Sequence, residues 1–288
     1  MSDRPAQSTA RRLAKLLGTF HNISYYAPEM KAFADVGLRE YWRAYMAYRS
    51  APMGIVPASV VESTFYNFSP SHVQAAIPSA WETTNPAEVL SLRDQCIAAA
   101  LARALDGADV SDAAEAADLA LPPIMQVEAG ARPLFAAHRE LAAPSDPIMR
   151  LWFAATLWRE HRGDGHNLAL ATASIDGIEC HVLLAAKGVG DRDTIGKIRG
   201  WSTDDWTNAQ QRLVDRGLLS DDGSYTDAGQ QLRDGIESHT DDLAAPPREL
   251  LGEEGCQRVI AIAEPLVGHM IEGGAVAGRW PPKQDPAT

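Results

Sequence analysis

The chain has 288 residues, 45% of them apolar and 22% charged, with a formal net charge of -12. That composition belongs to a globular protein with room for two ordinary domains, and its acidic balance argues against a general affinity for nucleic acid phosphates. Cys96, Cys180 and Cys256 are far apart and odd in number, which excludes a disulfide framework or a thiolate zinc site. In chain order, residues 1–8 are polar and read as frayed. From Thr9 a helix is predicted, because Leu13, Leu16, Leu17, Phe20 and Ile23 recur at helical spacing. Pro28 opens a further helix, and Gly37 marks a break. Tyr41, Trp42, Tyr45, Met46 and Tyr48 form an aromatic helix that stops at Arg49–Gly54, punctuated by Pro52 and Gly54. A short helix entered at Pro57 follows. Ser69 is then an N-cap with Pro70 at the first helical position, and Pro78 limits that helix. Helix, tight turn and helix in this order have the outline of a helix-turn-helix unit.

Helices are predicted over 86–106 and 111–119. Pro122-Pro123 breaks the pattern, the next helix runs toward Leu141, and Ala143–Pro147 is the clearest boundary between halves. The second half opens with the apolar run Ile148–Leu157, which leads into Trp158-Arg159-Glu160-His161-Arg162-Gly163-Asp164-Gly165-His166. Six ionisable side chains fall in those nine residues, at a place where desolvation is costly unless charges are paired or used. Gly163 and Gly165 are expected to break the helix, with a new one starting near His166. Asp176-Gly177 reads as a turn, 178–186 as a helix and 194–198 as a short element. Ser202 or Thr203 caps a helix running to Val214. Asp221-Asp222-Gly223 reads as a hairpin turn, Ser224-Tyr225-Thr226 as a strand and Asp227–Ser238 as a helix. Residues 246–254 read as a loop, followed by a last helix from Cys256 and a Gly- and Pro-rich tail. No apolar run approaches membrane-spanning length and the N-terminus has no continuous apolar stretch, so the expectation is a cytoplasmic protein with no membrane partner.

A shift of 113 positions sets Tyr48-Arg49 on His161-Arg162 and Tyr45 on Trp158. An internal repeat of this kind would make Arg49 and Arg162 pseudo-equivalent and would place a pocket between the halves.

The stretch Gln211-Arg212-Leu213-Val214-Asp215-Arg216-Gly217-Leu218-Leu219, followed by Asp222-Gly223-Ser224-Tyr225-Thr226-Asp227-Ala228-Gly229, resembles the recognition helix and wing of MarR-type winged-helix regulators. From about residue 10 to 245 the chain also resembles an actinobacterial helix-turn-helix family described as MarR-like. That likeness runs through His21–Glu29, Arg49–Gly54, Phe65–Phe68 and His161–His166. The resemblance implies a mainly α fold with two winged helix-turn-helix-like halves in one chain and a short β-hairpin wing. The halves would be 9–143 and 146–245, with a C-terminal helix and tail over 246–288. Between Trp201 and Glu254, thirteen acidic residues face four Lys or Arg. The predicted recognition helix opens with Asp204-Asp205 and the wing tip is Asp221-Asp222, so DNA stays open as a partner but is disfavoured.

The candidate ligand-binding residues are His21, Tyr25, Arg49, Tyr66, Asn67, His161, Arg162, Asp164 and His166. His21 has a plain alternative as a satisfied core histidine, and Arg159, Glu160, Arg162 and Asp164 have one as a charge network that fixes the turn. HxxDxH is not a zinc spacing, no nucleophile elbow is present, and neither a metal nor a cofactor is indicated. Catalytic residues are not identified. The reading is a MarR-like regulator or small-molecule sensor with a polar pocket between its halves and weakened or absent DNA binding. Its partner would be a small organic ligand, an anion being favoured by the planar fork of arginine. The alternative is an enzyme or ligand-sequestering protein on the same scaffold, using His161, Asp164 and His166.

Overall fold

Leucine and phenylalanine at helical spacing in the first twenty residues give α1, Arg4–His21, the first of fourteen α-helices among the described residues. The computed structural model describes residues 4–278, with side chains from Thr9. Helix α1 therefore starts before the expected Thr9, while residues 1–3 and the tail beyond 278 lie outside the described residues. The chain continues through α2 (Ile23–Tyr26), a 3-10 stretch (Pro28–Val36), α3 (Tyr41–Ser50), α4 (Ala58–Phe65), α5 (Pro70–Ala76), α6 (Pro86–Ala104), α7 (Ala113–Gln126) and α8 (Pro133–Arg139). Then come α9 (Pro147–Thr172), α10 (Glu179–Ala186), α11 (Arg192–Arg199), α12 (Thr203–Asp215), α13 (Asp227–Leu243) and α14 (Ala245–Glu272). The caps fall where side-chain chemistry puts them. Ser69, Ser202 and Thr226 each accept a backbone N–H of the following helix, and Ser202 with Asp205 completes a capping box.

Two hydrophobic cores result. The first gathers Leu13, Phe20, Met46, Phe68, Ile97 and Trp152 from α1 to α9, together with Val259, Leu266 and Met270 of α14. The second holds Ile175, Leu183, Ile195, Trp206, Leu213 and Ile236. The 26-residue α9 runs through both, with Trp152 and Leu157 in the first and Ala169 and Leu170 in the second. The chain thus leaves the first core along α9, builds the second, and returns in α14 to pack on α1 and α7.

Five expectations are corrected here. The β-hairpin wing is absent: among the described residues there is no strand, and the two arms meet only at an isolated antiparallel bridge between Leu219 and Tyr225. The turn itself is present, with Gly223 at φ +81. Across the arms, Ser220 N–H donates to the Ser224 carbonyl (2.9 Å) and Thr226 N–H to the Leu218 carbonyl (3.2 Å), the two bonds of that one bridge; pairing goes no further because Asp222 ties the turn to Ser220 and Ser224 and Thr226 caps α13. The fold is mainly α without wings.

The glycines at 163 and 165 do not break α9. Gly165 instead lets a neighbour approach, because a Cβ there would lie 2.7 Å from Nη1 of Arg132. That guanidinium crosses the helix and donates to the carbonyls of His161 (2.6 Å) and Leu243 (2.8 Å). Two helical glycines cost about 1 kcal/mol each relative to alanine, less than the burial of α9 returns. Without a glycine turn at this position, the register that equated Arg49 with Arg162 has no structural counterpart: Arg49 ends a ten-residue helix and Arg162 is mid-helix.

Helix α7 also continues through Pro122-Pro123, where Pro123 and Ile124 are buried and Trp158 Nε1 donates to the Ala120 carbonyl. Residues 246–254 are helical rather than loop. Pro246 and Pro247 occupy the first turn of α14, where a missing N–H costs nothing, and the only break is Gly252 at φ +74.

The cores are stitched at one turn. Tyr66 donates to the Ile175 carbonyl (2.6 Å), while His181 Nε2 and Trp201 Nε1 both donate to the Asn67 carbonyl (3.1 Å each). Gly177 sits against this seam, where a Cβ would lie 2.0 Å from the Tyr66 carbonyl oxygen. Gly177→Ala is expected to destabilise by about 1–3 kcal/mol through overpacking. Urea unfolding measures it, and a loss below about 0.5 kcal/mol, the size of an ordinary surface change, would show that the seam yields freely.

Candidate functional site

Helical geometry divides the polar stretch of α9. Successive residues are turned by about 100°, so Glu160 points into the first core while Arg162 and His166 point toward α13. The sequence-predicted residues accordingly fall into separate environments.

The first is a nearly filled chamber around Glu160, which is 1% exposed, with a free volume of only about 10 Å³. Arg159 lies 2.6 Å from one of its oxygens and Arg49, from the end of α3, 3.6 Å from the other. Arg49 also donates to the Tyr45 hydroxyl (3.2 Å) and lies flat over Phe65, its Cζ 4.4 Å from the ring centre. Arg199, at the end of α11, lies over Phe68 at 4.2 Å and hydrogen-bonds Tyr45. The Arg159 guanidinium sits 5.6 Å from the Tyr25 ring. Three guanidiniums from both cores therefore surround one phenol and one carboxylate. Burial would push Tyr45 up, but Arg49, Arg199 and Arg159 outweigh it and draw the phenol below its ordinary value. Burial would likewise raise Glu160, yet Arg159 and Arg49 hold it down at about 2. Arg49 Nε and His72 Nε2 are buried with no hydrogen-bond partner among the described residues. Arg159, with 27% of its side chain exposed, is where the chamber meets solvent.

His21 forms the back wall. Thr156 gives its hydroxyl proton to the Trp152 carbonyl, so it accepts from His21 Nδ1 (2.9 Å), and His21 Nε2 accepts from Tyr25 (2.9 Å). The ring stacks on Trp152 at 5.8 Å, and burial, aided by Arg159, keeps it neutral, well below its ordinary value. Behind it, His138 is lowered to about 4 by burial.

The second environment is a cavity of about 380 Å³ on another face of α9, bounded by α1, α13 and the start of α14. His161, Arg162 and His166 line it with Leu13 and Trp158; Asp164, Arg49 and Asn67 do not. Arg162 pairs with Asp241 at 2.8 Å and lies 3.9 Å from Glu237. Arg159 borders both spaces.

Asp164 stands apart, 3% exposed, and accepts the Phe135 backbone N–H at 3.0 Å. It does not meet His161, which packs edge-on against Phe135, so the pairing required for His161 acid–base chemistry is not formed. Burial raises Asp164 to about 7 against its hydrogen bond from Phe135. A raised folded value stabilises at low pH, and that contribution is lost as pH climbs from about 3.8 through about 7. Asp164→Asn should flatten this part of the stability–pH curve. An unchanged slope between pH 4 and 7, measured by denaturant titration, would contradict it. Tyr66 and Asn67 are taken up by the seam between cores. Tyr45 and Arg199 were not picked out from sequence. Tyr45 looks like one more member of an aromatic helix face, and Arg199 like an ordinary basic helix end.

The nucleic-acid question turns on α12. The exposed arginines on it and at its C-cap are already paired with carboxylates: Arg212 with Glu179 (3.0 Å) and Asp176 (2.6 Å), and Arg216 with Glu179 (3.3 Å). An open groove of about 790 Å³ along α11 and α12 is lined by Asp191, Asp193 and Asp221 against the single Arg192, the wrong sign for phosphates. Among the described residues no group of three or more His, Cys, Asp or Glu could hold a metal ion, and no helix is long and apolar enough to cross a membrane.

Residues 10–277 match the profile of a helix-turn-helix family. No curated protein and no solved structure matches the chain.

Proposed function

Because the chain belongs to this helix-turn-helix family, we propose that it is a MarR-like sensor of a small organic anion, with DNA binding weakened or lost. The observation that carries the reading is the way Arg49 and Arg159 share the single carboxylate of Glu160 beside Tyr45, with Arg49 Nε buried and without a hydrogen-bond partner among the described residues. A buried N–H left without an acceptor is costly, and a carboxylate or phosphate entering beside Arg159 offsets that cost through charge-assisted hydrogen bonds. The guanidinium face of Arg49 lies on Phe65, and Nη1 and Nη2 are taken by Tyr45 and Glu160, which leaves its Nε–H for the ligand. The free volume inside is only about 10 Å³, so an aromatic or alicyclic body would lie outside it, against the partly buried Tyr25 and Tyr26. His21, Tyr25 and Arg49 from the initial candidate set contribute to this site.

Calorimetric titration with benzoate, β-naphthoate and inorganic phosphate tests the anion site. At least one should bind saturably, more weakly as salt rises, and roughly tenfold to a hundredfold more weakly to Arg49→Met. Absence of binding by all three would remove the reading. A DNA mobility shift at low salt addresses the second part. A salt-sensitive shift supports a regulator, and none at low salt leaves a ligand-sequestering protein on the same scaffold.

A further inference from the structure

The cavity between α1, α9 and α13 shares only Arg159 with the arginine chamber, and its chemistry is different. Each arginine lining it has a carboxylate: Arg159 pairs with Glu160 (2.6 Å), Arg162 with Asp241 (2.8 Å), which also accepts from Arg11 (2.7 Å), and Arg248 lies 4.0 Å from Glu249, while Glu237 is paired with Arg233. No cationic surplus remains there. Leu13, Trp158, Pro247 and small side chains from Ala10 and Ala14 make its walls apolar.

The polar groups left over are two imidazoles. Thr240 gives its hydroxyl proton to the Ile236 carbonyl (2.7 Å), so it must accept from His166 Nδ1 (2.9 Å). That fixes the proton on Nδ1 and leaves His166 Nε2 as a bare acceptor. His161, only 2% exposed, is held by the edge of the Phe135 ring at 5.0 Å, and its ring nitrogens have no hydrogen-bond partner among the described residues. Burial lowers both rings to about 4, so both are neutral near pH 7.

We propose that this cavity is a second binding site, for an uncharged ring compound bearing a hydroxyl or N–H group that donates to His166 Nε2. Trp158, Leu13 and Pro247 enclose the ring, and His161 supplies a further neutral contact. The volume of about 380 Å³ is within the range of small-molecule pockets. An anion gains nothing here, because each cation on the rim already has its carboxylate.

β-Naphthol, β-methoxynaphthalene and β-naphthoate share one ring system and separate the two sites. β-Naphthol should bind one to one, and capping its hydroxyl as the methyl ether should weaken binding roughly tenfold, as loss of one hydrogen bond to a buried acceptor predicts. Ala14→Phe, which fills the cavity, should abolish β-naphthol binding and leave β-naphthoate binding unchanged, whereas Arg49→Met should do the reverse. In the unaltered protein, the His166 Nε2 resonance in a nitrogen-15 correlation spectrum should move on adding β-naphthol, a readout that needs no substitution. The proposal is overturned if β-naphthol does not bind up to its solubility limit, if the His166 resonance stays still at saturation, or if Arg49→Met removes its binding. Failure of β-naphthoate alone bears on the arginine chamber and leaves this site standing.

Discussion

Glu160→Gln is expected to lower the unfolding free energy by about 3–5 kcal/mol, the cost of removing one partner from a buried ion pair. The size follows from what remains. Arg159 at 2.6 Å and Arg49 at 3.6 Å would lose the one carboxylate they share among the described residues, and the Arg49 side chain is only 12% exposed. Shape is conserved, so the loss reports charge. Its pH dependence is specific. A carboxyl held at about 2 in the folded chain against 4.5 ordinarily contributes stability that is complete above about pH 4.5 and disappears as pH falls through about 2. The Gln variant should therefore show a shallower acid limb over that window as well as a lower plateau. Denaturant melts from pH 2 to 7 measure both, and a variant as stable as the parent at pH 7 would mean that the chamber tolerates its cations unpaired.

Trp152→Ala should cost about 3–5 kcal/mol, as large aromatic truncations in cores do. The indole is 2% exposed, stacks on His21 and lies 5.4 Å from the Arg93 guanidinium carbon. Its Nε1 donates to the His21 carbonyl at 3.3 Å, so the ring holds both ends of the histidine. Trp152→Phe keeps most of the packing and should cost less, about 1–2 kcal/mol, from lost volume and an unmet carbonyl. The ordering is the test: if Phe is as damaging as Ala, the N–H matters more than the ring.

Much of the local structure was legible because it depends on neighbours in sequence. Ser69 before Pro70, Ser202 before Asp205 and Thr226 before Gly229 announce helix starts through contacts three residues long. What misled were residues whose partners are distant. Gly165 reads as a breaker until Arg132 is seen lying across it, and Pro246-Pro247 reads as loop until α1 and α7 are seen to need covering. The wing failed for a related reason: turn chemistry at Asp222-Gly223 was correct, but strand pairing requires residues that Thr226 had already committed to a cap. His21, Tyr25 and Arg49 line one small space beside Glu160. His161, Arg162 and His166 part from them because α9 stays helical and sends alternate residues to different sides. Arg199 reaches the chamber only through the seam at Tyr66 and Asn67, a contact no pattern along the chain announces.

The route of the chain has a consequence for how the protein is made. A ribosome releases the first core's helices in order from α1 to α9, yet Val259, Leu266 and Met270, which close that core, emerge only after the whole second core. At usual elongation rates the interval is roughly ten seconds. Throughout it α1 and α7 present an uncovered apolar face, while the later-born residues 169–243 already hold all of their own buried partners. The nascent chain therefore completes its second core before its first. The N-terminal part waits in a sticky, half-covered state in which a holding chaperone has something to grip, and ribosome-bound intermediates stalled before α14 should be captured far more readily than the released protein.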